Sequence, residues 1–165
     1  METRLPREMY VPPDEGTNLW FLGQLVTFKI HSRSARVGVF QLITPLQGGI
    51  PLHRHAAQDE THYVLRGQYE FRCANQRLQA EPGAVVHVPA GMAHAFRNVG
   101  AEPGELLCIV TPSGPLERFL EAVGEPITDP TALPKQPLEM QRLWSMAERI
   151  GGIEFVDHVP NGEID

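Results

Sequence analysis

The sequence predicts an all-β fold, a sandwich or barrel of short strands, followed by two helices. Apolar runs rich in β-branched and aromatic residues recur roughly every ten residues, with glycine or proline between them. The chain has 15 glycines and 15 prolines among its 165 residues, which is typical of a fold with many turns. Strand-like and helix-like segments do not alternate, which argues against a parallel α/β fold.

The predicted strands share a β-branched or aromatic composition and end at turn residues. The segment around residues 53–55 is extended, and a turn of sequence AAQD follows it. In chain order the predicted strands are WFLGQLVTFKI (20–30), RVGVFQLIT (36–44), THYVLRG (61–67), QYEFRC (68–73), AVVHVP (84–89), AFRNV (95–99) and ELLCIVT (105–111).

The last third of the chain has helical spacing. In PLERFLEAVG (115–124) apolar residues recur every three or four positions, and Gly124 is a predicted stop. A second helix is predicted over 138–152, ending at two glycines. We expect both helices to pack outside the β unit, so that residues 1–165 form one domain with a barrel core over about 20–111 and a helical extension over about 115–157.

Charge and composition exclude several classes of partner. The formal net charge is −6 and the pI about 5.6, which argues against nucleic acid or an anionic membrane as the main partner. The N-terminus shows no apolar run of signal-peptide type, so we expect a cytoplasmic protein. In that setting Cys73 and Cys108, each inside an apolar run, should be reduced, packed thiols.

Histidines and acidic residues are concentrated in the stretch HRHAAQDETHYVLRG (53–67). His53 and His55 are two apart, so their side chains leave an extended segment on the same side. Glu60 follows across the turn, and His94 comes later in the chain. Such a set is a usual ligand group for a first-row divalent metal, although a His-x-His pair alone is more often an incidental surface pair.

Two multi-point motifs give this set its context. The first is His-x-His, four residues, Glu, six residues and Gly, ending at Gly67. The second is GAVVHVPAGMAHAFRN (83–98), which reads Gly, five residues, Pro-x-Gly, two residues, His, three residues and Asn. In their order and spacing they resemble the two motifs of the cupin superfamily. A leading glycine of that family would fall on Gln47, which affects a turn and no ligand.

The resemblance implies a cupin-type double-stranded β-helix (jelly-roll) barrel with one divalent transition metal ion per chain, of Fe, Ni, Mn, Cu, Co or Zn. It implies His53, His55, Glu60 and His94 as ligands. More narrowly, the Pro-rich entry VPPDEGTNLWFLGQLVTF, the segment after the second motif and a late GGIEF resemble single-domain cupins related to bacterial quercetin dioxygenases.

That narrower resemblance implies a metal-dependent dioxygenase that cleaves a small hydroxylated aromatic, flavonol-like or enol substrate with O2. Glu60 would then be both ligand and general base. Two alternatives stay open. One is a metal-dependent cyclase or isomerase, for example of aromatic polyketides, that works through an enolate without O2. The other is a non-catalytic cupin that binds a small ligand.

Further candidate residues lie outside the predicted ligand set. By strand alternation His62 shares a face with Glu60, where it is a partner of Glu60, a catalytic acid/base, or a core histidine. Phe96 is a candidate pocket residue, and His87 is either a pocket residue or faces outward into solvent. Tyr63, Tyr69 and Phe71 are expected in the core. A homodimer is expected as well, with Trp20, Phe21 and Leu22 as interface material, because cupins commonly pair through sheet edges.

Overall fold

The computed structural model describes residues 9–31, 36–129, 131 and 139–156, and in these residues twelve strands and two helices surround a hydrophobic core. The strands are β1 (Thr17–Phe21), β2 (Gln24–Ile30), β3 (Gly38–Thr44), β4 (Gly49–Arg54), β5 (Asp59–Arg66), β6 (Tyr69–Cys73), β7 (Gln76–Ala80), β8 (Val85–Val88), β9 (His94–Asn98), β10 (Gly104–Thr111), β11 (Glu125–Ile127) and β12 (Glu154–Phe155); the helices are α1 (Gly114–Val123) and α2 (Met140–Ile150).

The strands form two antiparallel sheets. A seven-stranded sheet has the order β11-β1-β2-β3-β10-β5-β8, and a five-stranded sheet has the order β12-β4-β9-β6-β7. Strands that are neighbours in space are often distant in sequence, as β3 and β10 are, which is the connectivity of a jelly roll. The predicted all-β fold of jelly-roll type is therefore confirmed.

The core lies between the inner faces of the two sheets. Buried and partly buried positions alternate along β3 and β10, as expected for strands with one covered face. Fully burying a large apolar side chain contributes about 1.5–3 kcal/mol, so this core can hold the barrel together without an ion. Its largest fully buried apolar side chains are Phe28, Phe40, Tyr69, Phe71, Leu106 and Phe119.

Both predicted helices are present and pack outside the β unit. α1 begins at Gly114 and ends immediately before Gly124, as predicted, and Phe119 on its inner face packs edge-on against Phe21 at 6.0 Å. α2 ends at Ile150, where Gly151 has a φ of 73°. Its predicted start at residue 138 lies outside the described residues. The buried Leu143 and Ala147 of α2 belong to the same hydrophobic core.

The run 20–30, which the sequence predicts as one strand, is instead part of the hairpin of β1 and β2. The chain reverses at Leu22 and Gly23, whose φ angles are 49° and 76°. Two consecutive positive φ angles are typical of the tight turn that joins paired antiparallel strands. β4 and β7 are further strands that the predicted list does not contain, and β7 is mostly exposed.

Candidate metal centre

The four predicted ligands come from both sheets and meet inside the barrel. His53 lies on β4 and His94 begins β9, where the two residues are paired across neighbouring antiparallel strands. His55 follows directly after β4. Glu60 enters from β5 of the seven-stranded sheet. We call these residues the four-residue centre.

The donor atoms of the four-residue centre converge on one point. Glu60 Oε2 lies 2.8 Å from His94 Nε2, 3.2 Å from His55 Nε2 and 4.0 Å from His53 Nε2. The four donor atoms all lie within 4.8 Å of one another. Each residue is at most 6% exposed, so the group is withdrawn from bulk water.

Backbone carbonyls orient all three imidazoles. His53 Nδ1 lies 2.8 Å from the carbonyl oxygen of Pro51, and His94 Nδ1 lies 3.1 Å from that of Met92. His55 Nδ1 lies 3.1 Å from the carbonyl of Gly152, which follows α2. A carbonyl can only accept, so each Nδ1 donates a proton to its carbonyl and each Nε2 is the nitrogen that faces the centre.

The electrostatics favour the ligand forms at two of these positions. Burial lowers the pKa of His53 well below its ordinary value, and the neighbouring His94 and His55 lower it further. Burial alone would raise the pKa of Glu60, but the nearby His62 and His55 outweigh it and hold that pKa well below its ordinary value. Burial lowers the pKa of His55, and Glu60 more than compensates, so that it is raised.

These residues fit a divalent transition metal ion. The Nε2 atoms of all three histidines lie within 4.0 Å of one carboxylate oxygen of Glu60, a convergence of buried donor atoms that a bound ion would explain. Imidazole nitrogens and one carboxylate oxygen are the donors that ions such as Fe, Ni, Mn, Cu, Co and Zn accept. The four-residue centre could therefore hold the expected ion, whose identity the donor set does not fix.

The second oxygen of Glu60 faces a different pair of side chains. The thiol of Cys108 on β10 donates to Glu60 Oε1 at 3.0 Å, and His62 Nε2 lies 3.6 Å from the same oxygen. Burial, together with the charge of Glu60, raises the pKa of Cys108 well above its ordinary value. Cys73 and Cys108 are both free thiols, as predicted. A lone cysteine in an apolar strand has no spacing signature, so the sequence pointed to Cys108 only as a packed thiol.

A cavity of about 40 Å³ leads away from the four-residue centre, and His53, His55 and Glu60 are part of its wall. Leu116 and Leu120 of α1 and Ile153 after α2 also line it. The remaining lining residues are mostly apolar: Phe21, Gln24, Val26, Phe40, Leu42, Ile50, Phe96 and Cys108.

Phe96 lines this cavity, whereas His87 does not. His87 is exposed on β8 and lies within hydrogen-bond distance, 2.9 Å, of the Thr61 hydroxyl on the neighbouring strand β5. His87 therefore takes the outward one of its two expected orientations, because on β8 the inward positions are Val86 and Val88. Tyr63, expected in the core, lies on the outward-facing side of β5 and is 40% exposed.

The segment after α2 closes one side of the centre. β12 pairs with β4, where Phe155 is opposite His53, and the two rings are 6.0 Å apart. The same segment supplies the Gly152 carbonyl that holds His55. The C-terminal part of the described chain thus contributes to the surroundings of two ligands.

Comparisons with known proteins agree with this geometry. A family model described as "Cupin domain" matches residues 39–110, the span from β3 to β10. The chain is 30% identical over 83 residues to an uncharacterised protein of Streptomyces coelicolor. This alignment covers 50% of this chain and 75% of that protein. It is 32% identical over 74 residues to quercetin 2,3-dioxygenase of Bacillus subtilis, covering 45% of this chain but only 21% of that enzyme.

A solved structure shares the fold. A crystal structure from Thermotoga maritima, described as a predicted oxalate decarboxylase, superposes with a TM-score of 0.56 at 16% identity, covering 59% of this chain and 93% of the other. Among the described residues, neither helix has the length and apolar character required to cross a membrane. With both motifs in place, their residues gathered in a jelly roll and a family model matched across its strands, the chain belongs to the cupin superfamily.

Proposed function

We propose that this protein is a metal-dependent dioxygenase that acts on a small, apolar hydroxylated aromatic or enol compound. The observation that carries the proposal is the position of the four-residue centre at the wall of a mainly apolar cavity. A divalent transition ion bound there would supply Lewis acidity toward an enol, phenol or carbonyl oxygen. The similarity to quercetin 2,3-dioxygenase supports the same reaction class.

The cavity wall favours a substrate without an anionic group. No lysine or arginine lines it within the described part of the chain, and its polar members besides Glu60 and the two histidines are Gln24 and the Cys108 thiol. A carboxylate or phosphate substrate usually meets a cationic side chain, preferably arginine, in its binding site. Aromatic and aliphatic side chains on the remaining wall suit an apolar body.

Size narrows the choice of substrates to test first. The cavity of about 40 Å³ is smaller than the roughly 150 Å³ cavity that holds a benzene molecule. A flavonol is larger than benzene, so it would have to displace the side chains of Leu116, Leu120 or Ile153. Acyl phenols and 1,3-diketones are smaller and need less displacement.

In this proposal Glu60 acts as general base as well as ligand. It is 6% exposed and lines the cavity, so a substrate hydroxyl that enters can come within reach of its carboxylate. A carboxylate shared between several donors can change its coordination with little movement. In this proposal it takes the proton of the substrate hydroxyl while the three histidines keep their Nε2 atoms on the centre.

The test combines metal analysis with oxygen consumption. The protein is purified without added metal, its metal content is measured, and O2 uptake is followed with flavonols, acyl phenols and 1,3-diketones. O2 uptake with any of these compounds supports the dioxygenase. Turnover without O2 uptake would instead indicate a cyclase or isomerase that works through an enolate, and tight binding without turnover would indicate a ligand-binding cupin.

A further inference from the structure

Three buried donor atoms lie together on the side of Glu60 that faces away from the four-residue centre. They are Glu60 Oε1, a ring nitrogen of His62 and the sulfur of Cys108, and we call these residues the thiol cluster. All three atoms lie within 4.8 Å of one another. They are also separate from the three metal-facing histidines, since only Glu60 is common to both groups.

The strand register produces this cluster. His62 on β5 and Cys108 on β10 are directly opposite each other across neighbouring antiparallel strands. Glu60 precedes His62 by two residues on β5, so its side chain leaves the strand on the same face. All three residues are at most 6% exposed, and the cluster is therefore part of the barrel interior.

His62 is the member whose surroundings are incomplete. It is 0% exposed, and neither of its ring nitrogens has a hydrogen-bond partner. Nε2 lies 3.6 Å from Glu60 Oε1, which is too long for a hydrogen bond. Buried polar groups are nearly always paired, and this imidazole, beside a carboxylate and a thiol, has a nitrogen available to bind a cation.

We propose that the thiol cluster is a second cation position, which takes a borderline or soft transition ion beside the four-residue centre. A tetrahedral ion with bonds of about 2.0–2.3 Å separates its donors by roughly 3.3–3.8 Å. Cys108 Sγ and His62 Nε2 lie 3.0 Å and 3.6 Å from Glu60 Oε1, so small side-chain movements suffice.

The chemistry of the donors selects the ion. A thiolate with an imidazole favours Zn²⁺, Co²⁺ or Cu⁺ over the oxygen-seeking Mg²⁺ and Ca²⁺. The ion replaces the proton of the Cys108 thiol, and this proton leaves to solvent. Because Cys108 lines the cavity, the ion can enter and the proton can leave through it. Glu60 would then bridge, with Oε2 toward the three histidines and Oε1 toward the second ion. This inference goes beyond the proposed oxygenase and shares only Glu60 with it.

Cobalt(II) titration of the chelator-treated, full-length protein tests the proposal. A cobalt–thiolate pair absorbs in the near ultraviolet, whereas cobalt bound by imidazole and carboxylate alone does not. We expect the protein to bind two equivalents of cobalt per chain and to show the near-ultraviolet absorption band of a cobalt–thiolate pair. Cys108→Ser keeps the size and hydrogen-bond donor of the side chain and should lose the band and one equivalent, and His62→Phe should do the same if folded by circular dichroism.

Two further variants separate the two positions. Cys73→Ser removes the other thiol, which lies in neither group of donors, and should keep both equivalents and the band. His94→Ala should keep the thiolate band while it loses cobalt from the four-residue centre.

Four results decide the question. One equivalent without a thiolate band in the unaltered protein overturns the proposal, because a water molecule beside His62 would then satisfy the ring. A band that persists in Cys108→Ser, or disappears in His94→Ala, overturns it as well. If the protein binds one equivalent of cobalt and shows the thiolate band, the cobalt lies at the thiol cluster. That result supports the second cation position and contradicts the ligand assignment of the four-residue centre.

Discussion

Backbone carbonyls, rather than acidic side chains, fix the rings of the three metal-facing histidines. The carbonyls of Pro51, Met92 and Gly152 each accept from an Nδ1 and turn the opposite nitrogen inward. We expect these hydrogen bonds and the hydrophobic core to form without an ion. Ligand geometry is thus largely set by the fold, which is the condition for rapid and selective binding.

Removing any of these imidazoles should separate metal binding from folding. We expect His53→Ala, His55→Ala and His94→Ala each to lose most bound metal and all turnover while the circular dichroism spectrum stays that of a folded barrel. His87→Ala is the matched control, because this histidine is exposed and should change neither. A His94→Ala protein with full metal content by elemental analysis would contradict the ligand assignment.

Glu60→Gln distinguishes a ligand from a base. The amide keeps an oxygen donor at the same position but cannot accept the substrate proton. We expect turnover to fall by about 10²–10⁴, the usual contribution of a general base, with only a modest loss of metal affinity. Steady-state rates and metal titrations are measured on the same preparation. Near-normal turnover would leave Glu60 as a ligand only.

At the residue scale, sequence motifs predicted the metal-facing group and failed on its neighbours. The spacings of His53, His55, Glu60 and His94 sufficed because each lies in a motif whose turns place it. Cys108 reaches Glu60 only through the pairing of β10 with β5, which no local pattern encodes. The orientation of His87 stayed open because the inward face of a four-residue strand is ambiguous from sequence.

At the scale of elements, the segment after α2 links the helical extension to the centre. Gly152 has a φ of 89°, and a Cβ there would lie 2.3 Å from the Cβ of Pro115. Neighbouring Gly151 also has a positive φ, of 73°, but a Cβ there would meet nothing within 4 Å. A side chain at either glycine would therefore strain the backbone, but only a side chain at residue 152 would also clash with Pro115.

This difference yields a matched pair of variants. Both Gly151→Ala and Gly152→Ala should lose roughly 1–3 kcal/mol of unfolding free energy from backbone strain, and Gly152→Ala should lose more. Only Gly152→Ala moves the carbonyl that holds His55, so its metal affinity should fall about 10–100-fold. Denaturant melts and metal titrations measure the two effects. Equal metal affinity in both variants would contradict a role of Gly152 in orienting His55.

Element prediction succeeded where periodicity was strong and failed at tight turns and short edges. α1 was predicted from its apolar spacing and its glycine stop. The hairpin of β1 and β2 was missed because its turn, Leu22-Gly23, interrupts an aromatic run with a single glycine. The exposed strand β7 consists mostly of polar residues, so it shows no alternation of apolar and polar positions. β12 has only two residues, which is too short for any alternation to be recognised.

At the scale of the whole molecule, the outer face of the seven-stranded sheet carries exposed apolar side chains on β5 and β8. Tyr63 and Val85 are opposite each other on β5 and the edge strand β8, and they are 40% and 60% exposed. Leu107 on β10 is opposite Tyr63 on its other side. Phe21, named from the sequence as interface material, is only 4% exposed and belongs to the core, so that assignment is wrong.

The homodimer expected from the sequence is therefore proposed through this outer face. Edge strands with exposed apolar side chains are usually covered, and a second copy would cover β8. We expect sedimentation as a dimer at micromolar concentration and dissociation in Val85→Lys. Leu78→Lys, at an exposed leucine of the other sheet, is the control and should stay dimeric. A monomer throughout that concentration range would contradict the proposal.

The hydrogen bond from His55 to Gly152 couples ion binding to the docking of the segment after α2. If the docked segment favours the ion by a given factor, the ion must favour the docked segment by the same factor. Each therefore stabilises the other in proportion to occupancy. Metal supply would thus set how firmly Ile153 covers the cavity, so that the ion controls access to the space in which it works.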